Sequence, residues 1–176
     1  MLKFKLINLT MINSIGLKLN YHKKLEDERG YLKVEAENNL ADVNSIIIKE
    51  SFSKALVARG LHLQSDLSPQ TKIIQVQRGK ILDVVFDPKN SLQTIFGFYL
   101  SDIDDVSVTI PPSFAHGFIA LQPTSFKYIC LGKYSESNET TFNVLSNISK
   151  IMNLGKITLS KKDKASPKIK IFNSLD

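Results

Sequence analysis

From Ser45 to Tyr134 the chain never stays apolar for long. The runs "NSIII", "ALVARGLHLQ", "KIIQVQRG", "KILDVVFDP", "FGFYL", "VSVTIPP", "AHGFIALQ" and "FKYICLGKY" follow one another, punctuated by Gly79, Pro88, Gly97, Pro111, Pro112, Gly117 and Pro123. Many short strands at close spacing point to an all-β fold, an antiparallel sandwich or barrel of the jelly-roll kind. At 176 residues, 43% of them hydrophobic and 23% charged, the chain has room for one buried core and is short for two. A single domain over 1–176 is expected, with its core at about 21–142.

Outside that region the pattern fades. The stretch "TTFNVLSNISKIMNLGKI" has partly helical apolar spacing at Phe142, Leu145, Ile148, Ile151 and Met152, which predicts a short peripheral helix. The N-terminal "MLKFKLINLTMINSIGLKLN" is interrupted by Asn and Lys every few residues, so neither a signal peptide nor a membrane span is expected. Cys130 is the only cysteine, which excludes an internal disulfide and a thiolate metal cluster within one chain and fits a reducing, cytoplasmic setting. The net charge is +6, with lysines spread along the chain, clustered only at "YHKK" and "SKKDK", and without an Arg-rich helix. Small anions are therefore favoured as partners over nucleic acid.

The strands carry residues that a plain core would avoid. By period-two parity, Lys72 shares a face with Ile74 and Val76, His62 with Ala58, Gly60 and Gln64, and Tyr128 with Phe126 and Cys130. A barrel whose inner face mixes apolar and polar groups has a lined cavity, in which these residues would converge. Two positions beyond His62 stands Gln64, and two beyond His116 stands Phe118, so no His-x-His metal cluster exists, and no metal site is expected. Gly-x-Ser-x-Gly, Walker and dinucleotide fingerprints are also absent. What remains is proton transfer by imidazole, ammonium, phenol and carboxylate. Taken singly, each has a plainer explanation: a hydrogen-bonded structural His62, a snorkelling Lys72, a core Tyr128.

The order of motifs decides between these. "DERG", "ARGLHLQ", "PQTKIIQVQRGKILDVVFDPK", "TIFGFYLS", "IPPSFAHGFIAL", "FKY" with "KY" behind it, and "LSKKDKASP" together resemble the dTDP-4-dehydrorhamnose 3,5-epimerase family. The resemblance implies a cupin-type jelly roll with a few short peripheral helices, usually a homodimer needing neither metal nor cofactor. Its substrate would be a nucleotide-linked 4-keto-6-deoxy sugar, epimerised at C3 and C5 for surface polysaccharide. Carried over by motif, His62 is the base next to the C4 ketone, Asp163 orients its imidazole, Lys72 stabilises the enolate oxygen, and Tyr128 returns a proton from the opposite ring face. Arg29, Arg59 and His116 are implied as grips on the diphosphate, with Tyr134 and Gln64 lining the same site.

The chain departs from that pattern at "IIIKES", where Ile47 and Lys49 replace a Gln-x-Asn pair, and it has no Trp. Lys49 is thereby expected to meet a phosphate or the base. Two alternatives stay open: a sugar 3,4-ketoisomerase of a related cupin family, which shares an "ERG-x-L" element but has a second histidine after "RG-x-H", and a non-catalytic nucleotide-sugar-binding barrel.

Overall fold

A computed structural model describes residues 2–34, 44–169 and 171–173. Its strands are β1 (Leu2–Leu6), β2 (Lys18–Tyr21), β3 (Lys23–Asp27), β4 (Gly30–Val34), β5 (Ile46–Ser53), β6 (Ala58–Gln64), β7 (Thr71–Arg78), β8 (Lys80–Phe86), β9 (Thr94–Ser101), β10 (Val106–Ile110), β11 (Ala115–Ala120), β12 (Thr124–Leu131), β13 (Glu139–Thr141) and β14 (Ile171–Asn173). Two short helices, α1 (Leu145–Ile151) and α2 (Lys161–Ala165), lie near the C-terminus.

The strands form a seven-stranded sheet, β13-β6-β11-β8-β9-β1-β14, facing a five-stranded sheet, β2-β10-β7-β12-β5. All pairings within them are antiparallel except β1, which runs parallel to β9 and β14. This is the jelly roll that the closely spaced apolar runs predict. Strand β1 falls in the N-terminal stretch whose pattern is not readable, because its "LKFKL" alternation is short and its partners lie far along the chain.

The sequence "KILDVVF" of β8 is buried on both faces, and the two sets of side chains enter different cores. Ile81 and Val85 point between the sheets, where they meet Ile74, Val108, Phe118 and Phe126. Leu82, Val84 and Phe86 face outward and are covered by Val144, Leu145 and Ile148 of the α1 segment. The helical spacing over 142–152 thus produces a lid on the outer face of the large sheet. A fully buried side chain of this kind contributes roughly 1.5–3 kcal/mol by area.

The apolar residues between the sheets fill one end of the barrel. The other end is lined by polar groups and stays open.

Candidate active site

The open end holds a cavity of about 550 Å³. Arg59, His62 and Gln64 enter it from β6 and His116 from β11, on the large sheet, while Lys49 (β5), Lys72 (β7), Tyr128 and Cys130 (β12) enter from the small sheet. Tyr134, Glu139 and Asp163 close the rim. The imidazole of His62 and the phenol of Tyr128 therefore share one cavity from facing walls.

Strict alternation would put Arg59 and His62 on opposite faces, as their odd separation implies. They share the cavity because β6 carries a bulge against β11: His116 pairs with His62, but Phe118 pairs with Arg59. Gly60 makes the bulge possible. Its φ of 97° lies in the left-handed region, and a Cβ there would stand 2.7 Å from the His116 carbonyl oxygen. A Cβ on Gly117, across the pair, would overlap the Arg59 carbonyl.

His62 and Asp163 form a close dyad, with His62 Nε2–H donating to Asp163 Oδ1 at 2.7 Å. The carboxylate is itself fixed. Ser160 caps α2 by accepting from the Asp163 amide at 3.1 Å and donates its hydroxyl to Asp163 Oδ2 at 2.8 Å. Burial alone would push the Asp163 carboxyl up, but the hydrogen bonds from His62 and Ser160 outweigh it and hold it below the usual carboxylate range. With Nε2–H committed to a carboxylate, the free lone pair of the neutral imidazole is on Nδ1.

On the facing wall, Lys72 Nζ donates to the His62 carbonyl at 2.9 Å, which leaves two ammonium protons for other acceptors. Burial lowers its pKa. Tyr128 is pushed up to about 12, chiefly by burial, which the nearby Ser51 hydroxyl only partly offsets, so at neutral pH it is a protonated phenol able to donate. Its ring packs edge-on against Phe126 at 4.5 Å.

The other implied residues divide. Arg59 is braced by Ser53 Oγ at 3.0 Å and the Phe52 carbonyl at 3.2 Å, which aims its guanidinium at the cavity wall. Lys49 Nζ lies 5.0 Å from the centroid of the Tyr134 ring, a cation–π contact at the rim. Gln64 lines the cavity, but its side chain is engaged with Ser68, the Ser135 amide and Glu139. Arg29 is not brought to the cavity of its own chain. It sits on the exposed β3–β4 hairpin and pairs with Asp27, because "DERG" forms the hairpin turn.

Two contributors were not read from the sequence. Asp83 of β8 is fully buried and accepts from His116 Nε2 at 2.9 Å, while its Oδ1 finds no hydrogen-bond partner among the described residues. Burial raises its pKa, opposed by His116 and Lys72. Glu139 holds Lys162 at 2.6 Å beside Gln64. The signal for Asp83 is a carboxylate in the otherwise uninterrupted apolar run "KILDVVF"; Glu139 has none, since the short strand that carries it leaves no apolar pattern in the sequence. Among the described residues no three His, Cys, Asp or Glu side chains cluster in a way that would hold a metal ion.

This geometry has relatives. Residues 14–170 match the family model of dTDP-4-dehydrorhamnose 3,5-epimerase. Proteins of that name from Methanothermobacter thermautotrophicus and Salmonella typhimurium are 40% and 33% identical, over 54% and 66% of this chain and 55% and 69% of their own lengths. The chain thus aligns with about half of the Methanothermobacter protein. Among solved structures, the Bacillus anthracis enzyme of that name with TDP and PPi bound superposes with a TM-score of 0.70 and 30% identity, covering 89% of this chain and 96% of that one. The Legionella pneumophila dTDP-6-deoxy-D-glucose-3,5-epimerase in complex with dTDP-4-keto-L-rhamnose gives 0.72 and 28%, covering 87% of each chain. With a cupin-type jelly roll and a matching family model over most of its length, this chain belongs to the dTDP-4-dehydrorhamnose 3,5-epimerase family.

Proposed function

We propose that the protein epimerises a dTDP-linked 4-keto-6-deoxy sugar at C3 and C5. The single observation that carries this reading is the cavity in which the His62–Asp163 dyad and the Tyr128 phenol stand on facing walls. Inverting a carbon beside a ketone requires a proton to leave one face and another to arrive at the opposite face. His62 takes the first proton, and Asp163 stabilises the imidazolium that results. The charge that develops on the C4 oxygen is met by the Lys72 ammonium. Tyr128, protonated far above neutral pH, supplies the second proton from across the ring.

Arg59 and His116, the latter backed by the buried Asp83 carboxyl, hold the diphosphate. Lys49 and Tyr134 stand at the rim, where the nucleotide enters.

The reading extends to a homodimer in the cytoplasm. The β3–β4 hairpin is a separate two-stranded sheet with Leu25, Tyr31 and Leu32 exposed, and β5 is a sheet edge with Ile46, Ile48 and Phe52 exposed. Neither is a stable surface for a lone copy. Docking on a second copy covers both and carries Arg29 toward that copy's cavity mouth. Sedimentation velocity at micromolar concentration is expected to show a dimer; a monomer throughout the range removes this part of the proposal.

The test of the chemistry is NMR in D2O with dTDP-, UDP-, GDP- and CDP-linked 4-keto-6-deoxy sugars. Deuterium is expected at C3 and C5 of the dTDP sugar. Absence of exchange with every member of the panel overturns the reading, while exchange at one carbon only restricts it to mono-epimerisation.

A further inference from the structure

The segment 150–168 holds six of the chain's 23 cations but only one of its 17 acids, so nearly all of the net charge of +6 arises there. The fold gathers four of those cations around a hollow. After α1 the chain turns through Asn153 and Gly155, both in left-handed conformations with φ of 52° and 84°, and runs back along Ile157 and Leu159 into α2. Lys168 then bridges to Asn143. The result is a groove of about 670 Å³ on the outer side of the large sheet.

Lys150, Lys156, Lys164 and Lys168 stand around it, with Ile157 and Leu159 as its apolar wall. None of its lining residues is acidic, and none of the four lysines has an ion-pair partner among the described residues. Four like charges brought together without a counter-charge repel one another, a cost that salt screens and that a bound anion relieves directly.

We propose that this groove is a second anion site, separate from the sugar cavity, that takes a small molecule bearing two or three phosphoryl groups. A polymer is disfavoured by the shape and the chemistry: the cations converge on a hollow instead of following a stripe, and its lining contains neither arginine nor an aromatic ring on which a base would stack. The site backs onto the catalytic wall. Leu159 lines both spaces, and on α2 Asp163 faces His62 while the adjacent Lys164 faces the groove.

The probe is inorganic tripolyphosphate, titrated into the ¹⁵N-labelled full chain at about 0.15 M salt, where loose surface attraction is screened. Saturable shifts are expected at the amides of Asn153, Gly155, Lys156 and Lys164. Shifts at Gly60 and Gly117 report any entry into the sugar cavity separately. In the double variant K156E/K164E the groove shifts are expected to need at least about tenfold more tripolyphosphate, a loss of about 1.4 kcal/mol. Both lysines are exposed, so the variant should keep its fold and the Gly60 and Gly117 response. Equal affinity in the variant, or no groove shifts in the parent protein, overturns the proposal. So does displacement of tripolyphosphate by a DNA oligonucleotide at lower phosphate concentration, which would mark a polymer surface.

Discussion

Replacing His62 by Asn should lower solvent exchange at C3 and C5 by roughly a thousandfold, within the range that positioned general bases contribute. Asn fills similar space and still reaches toward Asp163, so the fold and the binding of nucleotide are expected to survive. What is lost is the nitrogen able to take a proton. Tyr128→Phe separates the two halves of the reaction: the phenol's ring packing on Phe126 is kept, the base is intact, and only delivery from the facing wall is removed. Exchange by His62 should therefore persist in that variant while net inversion falls. NMR of the product in D2O measures both quantities in one sample. Undiminished exchange in His62→Asn removes His62 from the base role, and undiminished inversion in Tyr128→Phe removes the phenol from the acid role.

The difference between what the sequence discloses and what it conceals follows from the range of the interactions. Turn residues and period-two runs act locally, and they place the strands from β5 to β12 and the face on which Lys72 and Tyr128 lie. The pattern Ser160-x-x-Asp163 is likewise local, a capping arrangement that pins the carboxylate, and the motif resemblance assigns it to His62 across 101 residues. Parity, by contrast, fails at β6. It places Arg59 on the face opposite His62, because one extra residue at a bulge shifts every later side chain and no composition signal marks the spot except Gly60. The role of Asp83 is concealed for another reason: the acid stands out in its apolar run, but what it does depends on a partner on a neighbouring strand, His116, which no local pattern names. The parallel strand β1 depends on pairing with β9, far along the chain, which local pattern cannot encode.

That bulge also locates the most sensitive backbone position in the site. Gly60→Ala is expected to destabilise the protein by about 2–6 kcal/mol, from a side chain forced into the left-handed region and from overlap with the opposing strand. The position of the clash explains why relaxation is limited. The nearest atom to the new Cβ is the His116 carbonyl oxygen at 2.7 Å, followed by the Gly117 Cα at 2.9 Å, and both are backbone of β11, the strand paired on its other side to the buried β8. Moving β11 to make room would disturb His116 and its contact with Asp83, whereas moving β6 would withdraw Arg59 and His62 from the cavity. For a domain of this size each kcal/mol lowers Tm by about 2–4 °C, so thermal unfolding should shift down by roughly 4–24 °C. Alanine at Gly155, which also has positive φ but nothing within 4 Å of the place a Cβ would take, bears the conformational strain alone and should shift Tm by distinctly less. Calorimetry on the two variants separates crowding from strain: equal shifts would mean that the β6–β11 approach yields easily, and that the convergence of Arg59 and His62 does not depend on a glycine at position 60.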